Sequence, residues 1–221
     1  MGLLSGGFMS LSEKIREVPK PIIMAAIAPL FALTCITVAI LISPDFSWTG
    51  NALSDLGHYI RTDIGPNPVV RAIIFNTGLT VTGIVMVYYI IWLFRQLNDL
   101  QTKIGIIPYV IASVFLTAIG IFSENFSPTH YIVSVGFFFS FPWAMWFIGL
   151  SWLRFRKLWW FALISLALPF ISIYLWWGTF AGVMPWTGVA LPEILTSLTA
   201  IMWIWGFVYL QHTGKLANII K

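Results

Sequence analysis

The run IIMAAIAPLFALTCITVAILIS, residues 22–43, decides the fold class, because it contains no charged residue and is long enough to cross a lipid bilayer. A helix needs about 20 apolar residues to span a hydrocarbon core of roughly 30 Å. The rest of the chain has a similar composition: 59% of its residues are hydrophobic and 9% are charged. Soluble domains carry roughly 25% charged residues. The sequence therefore predicts an integral membrane protein.

Segments of spanning length recur along the chain with short connections between most of them. Six are predicted, at 21–43, 68–94, 104–123, 131–152, 158–178 and 190–210. Short connections place neighbouring helices side by side and antiparallel, whereas the loop at about 44–67 is long for a bundle. No polar block divides the chain, so we expect one all-α domain over residues 1–221, a bundle of six transmembrane helices.

The positive charges indicate how the bundle is oriented. If the spans alternate in direction, ten of the 12 Lys and Arg residues share one side: Lys14, Arg16, Lys20, Arg95, Lys103, Arg154, Arg156, Lys157, Lys215 and Lys221. Only Arg61 and Arg71 fall on the other side. This positive-inside bias predicts cytoplasmic N- and C-termini in a multi-pass protein of the cell membrane. The net charge of +4 thus reflects topology and does not indicate nucleic-acid binding.

Between the first two spans, the stretch FSWTGNALSDLGH (46–58) keeps polar residues close to lipid. Its window NALSDLGHYI predicts a short amphipathic helix that lies flat at the outer surface. One face would carry Asn51, Ser54, Asp55 and His58. The opposite face would carry Leu53, Leu56 and Ile60 and point toward the membrane.

Titratable side chains recur at the same outer level of several other spans. Glu124 ends a polar stripe formed by Ser113, Thr117 and Gly120 in the third span. His130 and Ser134 lie one turn apart in the fourth span, Glu193 begins the sixth, and Asn76 lies in the second. If these spans face a common interior, the groups meet in an outward-facing cavity beneath the loop helix.

Trp residues near the span ends are typical of the aromatic belt at the lipid interface: Trp48, Trp143, Trp159, Trp160, Trp176, Trp177 and Trp186.

This constellation allows two kinds of chemistry and one structural interpretation. Asp55, His130 and Glu193 are residue types that hold a divalent metal with a position open for water. Without metal, Asp55, Glu124, His130 and Glu193 can act as general acids and bases. In the structural interpretation Asp55 pairs with Arg61 or Arg71, Glu124 caps a helix, and His130 only hydrogen-bonds between helices. No HExxH, paired CxxC or GxSxG signature chooses among them.

Four motifs occur in an order that resembles a known family: NALSDLG after the first span, FNTGLTVTGI in the second, GIFSENFSPTH into the fourth, and ALPEI before the sixth. Together they resemble the prokaryotic membrane-protein family known as domain of unknown function 998, over residues 22–210. The resemblance implies a six-helix membrane fold and supplies no activity. The motif residues fall on Asn51, Ser54, Asp55, Gly57, Asn76, Gly83, Glu124, His130 and Glu193.

The functional prediction is an outward-facing polar site, with or without a divalent metal, that acts on a lipid or lipid-linked substrate as a hydrolase or remodelling enzyme. Asp55, Glu124, His130 and Glu193 would be acid, base or metal ligands, because ionisable groups at membrane depth usually mark function. The surrounding polar cavity would include Asn51, Ser54, His58, Asn76 and Ser134. The alternative is a small transporter, or an accessory subunit that binds another membrane protein. A transporter requires a polar route through the inner half, and an accessory subunit predicts paired groups without a cavity.

Overall fold

The chain folds as a bundle of long helices joined by loops and short 3-10 turns. The computed structural model describes residues 18–217 and 219, and in that part of the chain every regular element is helical. The α-helices are α1 (Lys20–Leu41), α2 (Pro68–Gln96), α3 (Leu100–Gly105), α4 (Ile107–Ile121), α5 (Thr129–Trp152), α6 (Trp159–Phe180) and α7 (Ala190–His212). Three 3-10 turns occur at Leu53–Gly57, Glu124–Phe126 and Arg156–Leu158.

Six helical segments are long and apolar enough to cross a membrane, which confirms the predicted number of spans. The third span is built from α3 and α4 together and begins at Leu100, before the predicted start at 104. Asp99 explains the earlier start, because its carboxylate accepts a hydrogen bond from the Thr102 backbone N–H at 2.8 Å and caps α3. Hydropathy alone does not detect such a polar cap.

The six spans close into a ring. Each helix packs against its neighbour in the chain, from α1 to α2, α4, α5, α6 and α7, and α7 packs back against α1. We call the end of this ring that carries the loops 42–67, 122–128 and 181–189 the loop end. The opposite end, which carries Lys103, Arg154, Arg156 and Lys157, is the basic end.

The polar stripe of the third span faces α2 and not a cavity. A Cβ atom added at Gly120 would collide with Thr80 and with the Asn76 carbonyl of α2, so α2 and α4 approach closely there. The Ser113 and Thr117 hydroxyls donate to the backbone carbonyls four residues earlier, at 2.9 and 3.0 Å. The stripe is therefore a helix-packing surface, as is common for small residues between membrane helices.

The segment predicted as a flat amphipathic helix has a different structure. Only Leu53–Gly57 is helical, as a 3-10 turn, and it is held inside the loop end. Leu53 and Leu56 do pack inward, against a cluster that includes Ile36 and Phe75. Asp55 is also buried, with 3% of its surface exposed, whereas Ile60 is 76% exposed, so the predicted separation of faces is wrong at both positions. The buried polar contacts of Asp55, described below, override the apolar pattern.

The orientation in the membrane stays a prediction of the charge pattern, and substituted cysteines test it. In a Cys35→Ala background, Ser47→Cys places a thiol in the long loop at the loop end and Lys157→Cys places one at the basic end, both at exposed positions. A membrane-impermeant maleimide should label Ser47→Cys in intact cells and Lys157→Cys only after permeabilisation. The reverse pattern would contradict cytoplasmic termini.

Candidate functional site

Asp55 fixes the turn that covers the loop end. Its carboxylate accepts hydrogen bonds from the Asn51 side-chain amide at 2.8 Å and from the Ala52 backbone N–H at 3.0 Å. It also forms an ion pair with Arg61. These three donors suit an ionised carboxylate in a buried position. The structural alternative for Asp55, pairing with Arg61, is thus the observed arrangement.

Asn76 and Glu193 attach the same turn to the bundle. The Asn76 side-chain amide donates to the Gly57 carbonyl at 3.0 Å, and a Cβ atom at Gly57 would lie 2.5 Å from Asn76 Oδ1. Residue 57 is therefore a glycine because α2 approaches its backbone closely. From the other side, Glu193 Oε2 accepts the Leu53 backbone N–H at 2.6 Å. The turn is held by α2 and by α7.

Glu124 lies half-buried between α4 and α5, next to this turn. Burial raises the pKa of its carboxyl group to about 7, the negative charge of Asp55 adds to the rise, and the positive charge of Arg61 opposes it. Its Oε2 atom is buried and has no hydrogen-bond partner among the described residues. A carboxyl group with this pKa exists in both protonation states near neutral pH, as a proton-transfer group requires. The structural interpretation expected Glu124 to cap a helix, and no capping hydrogen bond of its side chain is present in the described part of the chain.

His130 begins α5 with a defined ring orientation. Its Nδ1 atom lies 2.7 Å from the Phe122 carbonyl oxygen, and since a carbonyl only accepts, Nδ1 carries the proton. In the neutral imidazole Nε2 is then the acceptor atom, and the Ser134 hydroxyl lies 3.3 Å from it. A histidine oriented by a second hydrogen bond in this way presents Nε2 as a base.

A cavity of about 870 Å³ joins these groups to an apolar groove. Its polar end is lined by Ser54, Glu124, Ser127, His130, Ser134 and Glu193. The groove runs between α5 and α6 and is lined mainly by aromatic and apolar side chains: Tyr131, Val135, Phe138, Phe139, Pro142, Trp143, Trp146, Ile173, Trp176, Trp177 and Phe180. Several of these side chains are largely exposed, such as Tyr131 at 66% and Phe180 at 73%. The cavity therefore opens sideways, onto the surface that faces lipid.

The structure brings together five of the predicted site residues and separates four. Ser54, Glu124, His130, Ser134 and Glu193 line the cavity. The other four, Asn51, Asp55, His58 and Asn76, are not among its lining residues. Asn51, Asp55 and Asn76 hold the turn, and the ring of His58 lies near the Asn125 side chain at 3.4 Å.

Sequence reasoning missed the aromatic groove, because Trp143, Trp176 and Trp177 were assigned to the interfacial belt. One signal was present in the sequence. Phe138, Pro142 and Trp146 follow each other at intervals of four residues and thus lie along one stripe of α5. A stripe of large apolar side chains that continues the line of His130 and Ser134 along the helix indicates a groove, whereas a belt is confined to the span ends.

The predicted metal ligands are engaged in other contacts. In the described part of the chain no group of three His, Cys, Asp or Glu side chains is arranged to hold a metal ion. Asp55 is bound by Arg61, Asn51 and the Ala52 backbone, and Glu193 Oε2 takes the Leu53 N–H. The arrangement gives a metal site no support, and metal binding through Asp55, His130 and Glu193 stays a prediction that the metal content of the purified protein would test.

Replacing Asp55 should destabilise the protein far more than replacing Asp63, although both pair with Arg61. Asp55→Asn removes a buried ion pair. Breaking a fully buried pair typically costs roughly 3–5 kcal/mol. Because Arg61 is partly exposed, we expect the free energy of unfolding to fall by about 2 kcal/mol. Asp63→Asn removes a surface pair, worth about 0.5 kcal/mol. Thermal unfolding in detergent measures both. Equal effects would show that the turn does not depend on Asp55.

Glu124 should make stability depend on pH in a defined direction. Because its folded-state pKa lies near 7, above the usual value of 4.5, its contribution is fully present below about pH 4.5 and is lost as the pH rises through 7. The unfolding temperature of the wild type should therefore fall more steeply between pH 5 and pH 8 than that of Glu124→Gln. Both proteins retain the same surrounding titratable groups, so these groups do not account for a difference between the two pH profiles. They are Asp55, Arg61, Asp63, His130 and Glu193. Parallel pH profiles would refute the raised pKa.

A family model described as "Protein of unknown function (DUF998)" matches residues 26–209. The match contains all four motifs and every residue that lines the cavity. No curated protein and no solved structure matches the chain. The chain belongs to the DUF998 family of proteins of unknown function.

Proposed function

We propose that this protein takes a lipid or lipid-linked molecule from the membrane into the cavity and carries out an acid–base reaction, hydrolysis or remodelling, on its head group. The observation that carries the proposal is the continuity of the cavity: Glu124, His130 and Glu193 share it with an aromatic groove that opens toward lipid. Perturbed acid and base groups in a large apolar pocket are the usual features of a substrate site.

The dimensions of the groove suit an acyl or isoprenoid chain. A cavity of about 870 Å³ lies in the range of roughly 300–1,000 Å³ that is typical of ligand sites. His130 and Trp146 both line it, and at a helical rise of about 1.5 Å per residue they lie about 24 Å apart along α5. Half of a hydrocarbon core is about 15 Å thick. A chain lying in the groove thus reaches through its own leaflet, with its head group at the polar end.

The polar end contains the parts of a proton-transfer pair. His130 Nε2 takes the proton from a water molecule or an acceptor hydroxyl, whose oxygen then bonds to the reacting carbon. Glu124 in its protonated form gives its proton to the oxygen that leaves. Asp55 does not touch the substrate in this scheme, and it supports the acid by raising the pKa of Glu124. Glu193 holds the Leu53 backbone and presents its carboxyl group to the cavity.

The rival functions fit the arrangement less well. An accessory subunit is expected to pair its polar groups without leaving a cavity. Asn51, Asp55 and Asn76 are paired in this way, whereas Glu124, His130 and Glu193 line a cavity. A transporter requires a route toward the basic end. The described lining residues of α5 stop at Trp146, although the helix continues to Trp152. A groove that opens toward lipid, ends before the basic end and carries its polar groups at one end favours a binding site over a passage through the membrane.

Filling the groove tests the binding half of the proposal. Ser134→Trp places a large side chain in the cavity, whereas Ile132→Trp places the same side chain on the lipid-facing surface of the same helix, at a position that does not line the cavity. Native mass spectrometry of the purified proteins should find a tightly retained lipid in the wild type and Ile132→Trp, and little or none in Ser134→Trp. Equal retention by all three would place any bound lipid elsewhere.

Replacing Glu124, the proposed acid, tests whether the protein carries out the proposed reaction. Glu124→Gln preserves the shape of the side chain and leaves the aromatic groove unchanged, so lipid should still be detected in the cavity at saturating concentration, with an affinity lowered by no more than about tenfold. Turnover of a membrane lipid extract, followed by chromatography and mass spectrometry of the products, should fall by about 10²–10⁴-fold, the usual contribution of a positioned acid or base. The outcome that contradicts the reaction is a product profile in Glu124→Gln that equals that of the wild type.

A further inference from the structure

The polar end of the cavity is rich in acceptors and carries no positive side chain. Two carboxyl groups, Glu124 and Glu193, face it together with His130, Ser54 and Ser127. Among the described residues that line the cavity there is neither Lys nor Arg. Sites that bind phosphate or carboxylate groups depend on Arg, Lys or convergent backbone N–H groups. This lining instead presents two carboxyl groups and, among its described residues, contains neither Lys nor Arg.

The two arginines of the loop end lie outside the cavity lining. Arg61 pairs with Asp55 and donates from Nε to Asp63 at 2.9 Å. Arg71 is fully buried: its Nη2 donates to the Arg61 carbonyl at 2.6 Å, and its Nε and Nη1 have no hydrogen-bond partner among the described residues. Neither lines the cavity. The other described cations belong to the basic end, roughly 30 Å away across the bilayer. Arg61, whose charge reaches Glu124, is already paired with Asp55 and Asp63 and is not available to an anionic head group.

The described residues supply only part of the donors that these two carboxyl groups can accept. Glu124 Oε2 has no hydrogen-bond partner among the described residues, and the one hydrogen bond recorded for Glu193 is that from the Leu53 N–H. Buried polar atoms are normally paired, so donors supplied by a ligand would satisfy them. An anionic head group would add further acceptors, and it would be repelled whenever either carboxyl group is ionised, because the dielectric constant of the surroundings is low.

The aromatic wall is compatible with the same kind of head group. Tyr131, Phe138 and Trp176 line the cavity, and aromatic faces attract ammonium groups. The Trp176 indole N–H is buried without a partner among the described residues. It is a neutral donor, able to bind a hydroxyl or ether oxygen of the ligand without adding positive charge.

We infer that the lipid bound in this cavity has a head group that donates hydrogen bonds and carries no net negative charge, namely an ammonium group or a sugar. This inference rests on the proposed lipid site and specifies its ligand class. Glu124 and Glu193 accept the donors of the head group, and the chain follows the groove between α5 and α6.

A set of single-chain probes with the same dodecyl tail and different head groups tests it: dodecylammonium, dodecyl glucoside and dodecyl phosphate. Protein in an uncharged polyoxyethylene detergent is titrated with each probe, and native mass spectrometry measures the bound fraction. Anionic probes will also collect at the basic end, so only binding that Ser134→Trp abolishes and Ile132→Trp retains is assigned to the cavity. The Glu124→Gln and Glu124→Gln/Glu193→Gln proteins then report on the carboxyl groups.

We expect the ammonium or the glucoside probe to bind in the cavity at least tenfold more tightly than the phosphate probe. Whichever of the ammonium and glucoside probes binds more tightly identifies the head group. The carboxyl substitutions should lower the preferred affinity by about tenfold, as for a lost charge-assisted hydrogen bond. Cavity binding of the phosphate probe that equals or exceeds the others would overturn the inference and leave the lipid site intact. Failure of all three probes to bind in a manner sensitive to Ser134→Trp would overturn the proposed function itself.

Discussion

The buried carboxylate of Asp55 is the constraint on which the loop end depends. An ionised group at this depth is stable only when it is paired and hydrogen-bonded, and here Arg61, Asn51 and the Ala52 backbone meet that requirement. All three belong to the loop between α1 and α2, so the ion pair folds the loop onto itself. The turn Leu53–Gly57 is then held at the mouth of the bundle by Asn76 and Glu193.

The negative charge of Asp55, which holds the turn in place, also acts on the neighbouring carboxyl group of Glu124. Asp55 adds to the effect of burial on Glu124 and so keeps the pKa of that acid near 7. The end of α4 orients His130, whose Nδ1 donates to the Phe122 carbonyl. Acid and base thus face one cavity from adjoining elements, and the groove between α5 and α6 gives that cavity an entrance from lipid. In the function we propose, the substrate enters from the bilayer through this groove, and no aqueous channel is required.

Sequence predicted the spans well because twenty apolar residues have few alternatives to crossing a membrane. It also placed Glu124, His130 and Glu193 at one level, because each lies at the end of a span. It failed where a local polar contact outweighed a pattern: Asp99 starts α3 early, and Asp55 turns inward while Ile60 is exposed. Asn76 was assigned to the cavity, yet its amide holds the Gly57 carbonyl. The aromatic groove was missed because Trp near a span end suits both an interfacial belt and a pocket wall.

The most direct test of the central claim is the density in the cavity of a crystal grown from a lipidic mesophase. If the cavity binds lipid, we expect elongated density that follows α5 from His130 toward Trp146, with a polar end in contact with Glu124 and Glu193. A groove that is closed by its own side chains, or that contains only separate water molecules, would contradict the claim that this cavity is a lipid site.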